Sequence, residues 1–416
     1  MSIFNQLDMV VERITRTDEE DAKKNKTESN AAITSAKDID RLILNHSLSA
    51  TKAAELVGMN RVAFKDYILD AEKRGVIDGV LKTSNQYRYT LRHIHAIMDD
   101  LNIPAYKDIH SKTQIIVNQN LKGGTGKSTA GINLSAALAL DLRERKRVLI
   151  IDLDPQGSQS QFSNINPEED DNILTAVDLM LGQDEPESLY SEYINAGYSH
   201  EDIVRNAMVE THLPNLDVLP AFPTDERFNS AAWMAYAEDY KSTGERVIKH
   251  ISRLKECVID VIRDDYDFII IDTAPQLNPL VWSAQEASNG LLIPCTPHTL
   301  DWKATRSLLK MLKDMLQQLP SGGENLEWFK VVGANYDDEH RRDDFTLGLM
   351  NNELGSVLLN NQIKRSTAFE SAAREKMTVL DIRKSDALCP PKQLEKAVAS
   401  LKDVSRELDL FLGEYK

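Results

Sequence analysis

Apolar residues change their spacing along this chain, and the changes mark its elements. Three runs rich in β-branched residues, Ile115-Ile116-Val117, Val148 to Ile151 and Phe268 to Ile271, are apolar at successive rather than alternate positions. That is the pattern of short strands buried on both faces of a parallel sheet. Further strands are predicted at Leu216 to Leu219, Leu291 to Pro294 and Phe329 to Ala334, with helical stretches between them. This alternation predicts an α/β fold built on a doubly wound, mostly parallel sheet. Near the end, Leu394, Val398, Leu401, Val404, Leu408 and Phe411 fall on one side of a helix with balanced charges, which predicts a packing helix. The stretch from Glu168 to His200, rich in Asp, Glu and Ser, reads as a surface helical insertion.

The first hundred residues have a different pattern. Leu7, Val10, Val11 and Ile14 make an amphipathic stripe with nothing local to bury it, which predicts a helix packed on a partner subunit. Glu19 to Asn30 is polar and mixed in charge, a hinge or linker. Then Ser49 to Gly58 reads as a capped short helix ending in a turn glycine, followed by Met59-Asn60 and a second helix from Arg61 to about Arg74. Val62 and Leu69, with Tyr67 or Ile68, are expected to face inward, leaving Asn60, Arg61 and Lys65 outward. Val76 to Leu81 and Gln86 to Leu91, separated by Lys82 to Asn85, are expected to form a two-stranded wing. The whole is the arithmetic of a winged helix-turn-helix, with Thr51, Asn60, Arg61, Lys65, Lys82 and Arg88 as candidate DNA contacts. A helical hairpin that merely packs is the alternative. The expected domains are therefore an N-terminal dimerisation helix and linker (1–35), a winged module (36–108) and a nucleotide-binding domain (109–416).

Composition narrows the class. With 416 residues, 42% of them hydrophobic and 27% charged, the chain can bury a sizeable core. Neither an apolar run of membrane-spanning length nor a signal peptide is present in the sequence, so a soluble cytoplasmic protein is expected. Cys257, Cys295 and Cys389 are scattered and odd in number, which argues against a disulfide framework or a cysteine-bound cluster. The net charge of −16 argues against a nucleic-acid partner, but its distribution does not. Between Arg41 and Arg92 nine Lys/Arg face five Asp/Glu, so the winged segment is locally basic.

Candidate chemistry centres on Lys122-Gly123-Gly124-Thr125-Gly126-Lys127-Ser128-Thr129, between the first strand and a helix-like stretch from Ala130. Three glycines free backbone N–H groups to close around phosphate oxygens, and the following helix points its positive end at the same anion. Lys127 is expected to neutralise the β/γ-phosphates and Ser128 to offer its hydroxyl to Mg²⁺. The strict phosphate-loop pattern fails at its first glycine, where Leu121 stands, and an additional lysine, Lys122, is present. Val148 to Asp154 and Phe268 to Asp272 both end in aspartate, where an open α/β sheet binds its ligand. Turn or helix capping is the alternative role for one such aspartate.

The run K-G-G-T-G-K-S-T, with D-L-D-P-Q at 152–156 and I-I-I-D-T-A-P at 269–275, resembles the deviant Walker A, first-switch and Walker B segments of ParA-type partition ATPases, over roughly residues 112–416. The resemblance implies that Lys122 reaches across a homodimer interface to the partner's phosphates. It further implies that Asp154 orients the attacking water, that Asp152 and Asp272 hold the Mg²⁺ shell, and that Asn335 lies where relatives recognise adenine. Lys364, Arg365 and Arg374, within a basic stretch that also holds Lys376, Arg383 and Lys384, cluster where the family binds DNA without sequence preference. The large ParA subclass has a similar N-terminal winged module. The implied activity is ATP hydrolysis to ADP that drives DNA segregation, with an ATP dimer on nucleoid DNA, a ParB-type centromere-binding partner, higher-order assembly on DNA and repression of its own operon. A MinD-like membrane ATPase would carry a basic amphipathic tail, and a nitrogenase-type reductase would carry paired cysteines. An ATP-regulated transcriptional repressor only is a further alternative, and a pure transcription factor would need neither Lys127 nor Asp154.

Overall fold

The computed structural model describes residues 36–83, 86–157, 162, 172–243 and 249–414. The amphipathic stretch Leu7 to Arg16 and the linker at 19–30 lie outside the described residues.

Seven strands form the central sheet: β4 (Gln114–Asn118), β5 (Val148–Leu153), β6 (Val209–Glu210), β7 (Leu216–Leu219), β8 (Phe268–Thr273), β9 (Gly290–Cys295) and β10 (Trp328–Gly333). Their order is β10-β9-β4-β8-β5-β7-β6. Every neighbouring pair is parallel except β6 with β7. Strands β4, β5, β8 and β9 are buried at every position, as their unbroken apolar runs require. Successive side chains go to opposite faces: Leu149 and Ile151 join Ile269 and Ile271 in one core, while Val148 and Ile150 join Phe268 and Ile270 in the other. Helices cover both faces, giving the doubly wound α/β architecture that the alternation predicts.

The element order also holds α1 (Ala36–Asn45), β1 (Leu48–Ser49), α2 (Ala50–Leu56), α3 (Arg61–Arg74), β2 (Leu81–Thr83), β3 (Gln86–Tyr89) and α4 (Leu91–Asp100) before the sheet. After β4 come α5 (Lys127–Ala139), α6 (Ala176–Leu181), α7 (Leu189–Asn195), α8 (His200–Asn206), α9 (Arg227–Thr243), α10 (Pro279–Ala287), α11 (Thr299–Leu316), α12 (Arg341–Leu354), α13 (Thr367–Arg374) and α14 (Pro391–Glu414). On α14, Leu394, Leu401, Val404, Leu408 and Leu412 are buried against the core that includes Leu134 and Leu138 of α5.

Two expectations are corrected here. The segment read as a surface insertion is core over its first described helix and at one later position, where Ala176, Val177, Leu179, Met180, Leu181 and Tyr190 are buried, while most residues from Asp184 to Ser199 are exposed or half-buried as expected. Its acids mislead because they lie at caps and turns, as Asp178 does in closing a capping box on Thr175. The first strand of the expected wing is Leu81–Thr83, not Val76 to Leu81, because Gly75 and Gly79 take positive φ and hold the chain in turns until Val80.

Residues 48–101 surround their own small core of Ala53, Ala54, Phe64, Ile68, Ala71, Tyr89, Ile94 and Ile97. There β3 lies between β1 and β2 in an antiparallel three-stranded sheet. Helix α3 starts at Asn60, whose Oδ1 accepts from Val62 N and Ala63 N at 3.0 and 2.9 Å, and stops at Gly75 in a left-handed turn. Arg74 then ties α3 to α4 with two 2.7 Å hydrogen bonds to Asp100. The inward face of α3 is Phe64, Ile68 and Ala71; Val62 and Leu69 are 71% and 49% exposed, against expectation. Phe64, Ile68 and Ala71 fall at i, i+4 and i+7, and the large aromatic determines which of the two competing apolar stripes is buried.

Candidate functional site

The glycine loop joins the end of β4 to α5. Gly124 and Gly126 have φ of +76° and +79°, a region closed to most side chains, and Gly126 is the residue from which α5 springs. The loop therefore turns tightly enough to aim its N–H groups inward at the start of the helix. Lys127 opens α5 and is 6% exposed, whereas Lys122 is exposed on the outer side of the loop. The two lysines are thus separated by burial. Thr125 is buried, and its hydroxyl donates to Lys122 O at 3.3 Å, closing the loop on itself. Ser128 is half-buried and Thr129 exposed on the first turn.

The aspartates converge on the same place. Asp152 of β5 and Asp272 of β8 stand opposite each other in parallel register, and both are fully buried. Asp154 is 8% exposed; its N–H donates to Asp152 Oδ1 at 3.0 Å, and its own Oδ1 accepts from Gln156 N at 3.0 Å. Two buried carboxylates on adjacent strand ends, beside a helix that opens with lysine and serine, form an all-oxygen donor set suited to a hard dication such as Mg²⁺. Asn335 follows β10 in a left-handed turn with φ of +54°. Its neighbour Ala334 lies 3.5 Å from where a Cβ on Gly126 would be, so this turn adjoins the loop.

Several residues of the site carry no motif signal. Asn118, the buried last residue of β4, donates from Nδ2 to Lys127 O and to Asp272 Oδ1, each at 2.8 Å. Asn120 Oδ1 accepts from Lys122 N at 3.2 Å, and its Nδ2 donates to Pro294 O at 2.8 Å. Asp301, at the start of α11, lies 3.9 Å from the Lys122 ammonium. The only hint in the sequence is that polar Asn118 ends an apolar strand.

The candidate DNA contacts fall in two places. On the N-terminal module, Thr51, Asn60, Arg61 and Lys65 are exposed around the α2–α3 turn. Lys82 is exposed on β2 with its ammonium 5.8 Å from the Tyr87 ring, and Arg88 is half-buried on β3. In the C-terminal cluster, Lys364 and Lys396 both grip Asp338, at 2.8 and 2.5 Å, and these bonds hold its carboxyl down at about 2. Arg365 lies 3.9 Å from Asp337, and Arg383 donates to Leu44 O and Asn45 O. Arg374 is exposed at the end of α13. The basic stretch is therefore not one open row of cations.

A parallel sheet with a glycine loop at the end of a central strand, flanked by strand-end aspartates, defines the chain as a P-loop nucleotide-binding protein. A family model described as an AAA domain, AAA_31, matches residues 113–322. The chain is 28% identical over 316 residues to a putative replication protein A of Sinorhizobium fredii, covering 76% of this chain and 72% of that one. It is 25% identical over 334 residues to plasmid partition protein A of Escherichia coli, covering 79% and 77%. A solved structure described as a partition protein superposes with a TM-score of 0.65 at 23% identity, covering 90% of this chain and 94% of that one. The chain belongs to this AAA family, and the relatives it resembles include a plasmid partition protein.

Proposed function

We propose that this protein is the ATP-driven motor of a DNA partition system. The observation that carries the reading is the pair of lysines on the glycine loop: Lys127 buried at the start of α5, near the paired Asp152 and Asp272, and Lys122 exposed outside it. In this reading the loop residues Gly123 to Thr129 hold the triphosphate and Lys127 neutralises it. Ser128, Asp152 and Asp272 hold Mg²⁺, Asp154 orients the attacking water, and Asn335 meets the base. The metal supplies charge neutralisation at the phosphates. Lys122 completes the site of a partner copy, so hydrolysis requires the dimer.

The ATP dimer binds nucleoid DNA without sequence preference through Arg374 with Lys364 and Arg365, and assembles further along it. A ParB-type centromere-binding protein stimulates hydrolysis and release. Residues 36–108 serve as a winged helix-turn-helix that binds the operator of its own operon, presenting Thr51, Arg61, Lys65, Lys82 and Arg88. A membrane-positioning role has less support, because the apolar side of α14 is taken up by its own core. Among the described residues no helix is long and apolar enough to cross a membrane.

Calorimetry with Mg²⁺-ATP, combined with DNA pelleting with and without nucleotide, tests the reading. Saturable heat, dimer formation and ATP-dependent pelleting are expected. A monomer that gives no heat with Mg²⁺-ATP overturns it.

A further inference from the structure

His46, His212 and Asp381 come from three distant parts of the chain: the residue after α1, the β6–β7 connection, and the segment between α13 and α14. Their side chains are 10%, 4% and 0% exposed. His46 Nε2 and His212 Nε2 lie 2.6 and 2.8 Å from the same oxygen, Asp381 Oδ1, and the three atoms are all within 4.8 Å of one another. The other carboxylate oxygen is occupied: Asp381 Oδ2 accepts from Thr378 N at 2.7 Å and from the Thr378 hydroxyl at 2.8 Å. The Phe162 ring stands edge-on to His212 with centroids 5.3 Å apart, walling the cluster with apolar surface.

This is how protein metal centres are built: two imidazole nitrogens and a carboxylate converge, and the outer carboxylate oxygen is fixed by hydrogen bonds. The second cluster of convergent carboxylates, Asp141, Glu144 and Asp409, differs because the buried Lys146 ammonium already fills it. A tetrahedral ion with bonds of about 2.0–2.1 Å spaces its ligands about 3.3 Å apart, so each His–Asp separation opens by only roughly 0.5–0.7 Å to admit one.

We propose that His46 Nε2, His212 Nε2 and Asp381 Oδ1 are the ligands of one Zn²⁺-class divalent ion, with water as the fourth ligand, fastening the N-terminal module to the ATPase body. The joint is already formed around it. Asn45 Nδ2 donates to Asp381 O at 3.0 Å, Arg383 donates to Leu44 O and Asn45 O, and Leu42 of α1 packs in the core beneath α14. Mixed nitrogen and oxygen donors favour zinc over magnesium, so this ion and the one proposed at the glycine loop are chemically distinct.

The test is a titration of untagged, metal-stripped full-length protein, free of nucleotide, with Co²⁺ and then Zn²⁺. One equivalent of Co²⁺ with the visible bands of a tetrahedral site, displaced by Zn²⁺, is expected. His212→Gln and Asp381→Asn abolish those bands, and Thr378→Val weakens binding about tenfold by loosening the ligand carboxylate. Lys127→Gln leaves the bands unchanged, which separates this site from the nucleotide loop. A wild-type protein that takes up no stoichiometric Co²⁺ or Zn²⁺ overturns the proposal without recourse to any variant. Bands that persist in His212→Gln or Asp381→Asn overturn it equally.

Discussion

Asn118 donates its side-chain amide to Asp272 at 2.8 Å, and through the same nitrogen to the carbonyl of Lys127. One buried residue thus sets the positions of a candidate metal carboxylate and of the first turn of α5. A hydrogen bond to a charged group contributes about 1.5–3 kcal/mol. Asn118→Ala is therefore expected to weaken Mg²⁺-ATP binding by roughly 10–100-fold, with a smaller loss for ATP in EDTA. Fluorescent-nucleotide titrations with and without Mg²⁺ measure both, and an equal loss in the two would place the effect on the helix rather than on Asp272.

Lys127 and Asp154 have different roles in the proposed site and should fail differently. Removing the buried ammonium in Lys127→Gln is expected to abolish tight Mg²⁺-ATP binding, since no other described lysine is buried at the loop. Asp154→Ala keeps Asp152, Asp272 and the loop, so it should retain binding while turnover stalls and an ATP dimer persists. Sedimentation in ATP together with phosphate release distinguishes the two. Wild-type turnover by Asp154→Ala would mean that the water is oriented elsewhere.

Much of this site was legible in the sequence because parallel strands buried on both faces leave few places for an aspartate. Asp152 and Asp272 could only be strand ends, and register then put them side by side. Asn118 and Asn120 were not legible, since an isolated asparagine gives no periodic signal and its value depends on which strand ends beside it. The face of α3 was misread for a related reason: Val62 and Leu69 form as regular a stripe as Phe64, Ile68 and Ala71, and only tertiary packing decides between them. The His46–Asp381–His212 cluster is assembled from residues up to 335 positions apart, beyond any local pattern.

The exposed face of α3 separates two modes of DNA binding. Arg61 and Lys65 are exposed there and make no ion pair among the described residues, so replacing both with alanine removes two cations without disturbing the buried Phe64 and Ile68. Operator binding is expected to fall about tenfold or more and its salt slope to shrink by about two, since each phosphate contact adds roughly one to that slope. ATP-dependent binding to random DNA should be unchanged. Footprinting and salt-titrated anisotropy measure the pair, and parallel loss of both activities would show that one surface serves both.

Acid should loosen the N-terminal module through His95. Burial, reinforced by the nearby Arg145 guanidinium, holds its imidazole down at about 4, and its Nε2 has no hydrogen-bond partner among the described residues. The unfolded chain titrates near the ordinary value of 6.5, so between these two values it binds more protons than the folded protein. Stability from this residue is complete above 6.5 and is lost as pH falls toward 4, amounting to about 1–1.5 kcal/mol by roughly pH 5.5. His95→Gln removes that titration. Urea unfolding at pH 8 and 5.5 should show the wild-type protein losing about 1–1.5 kcal/mol more than the variant over the same interval. Equal losses would mean that His95 stays neutral in both states or is hydrated in the fold.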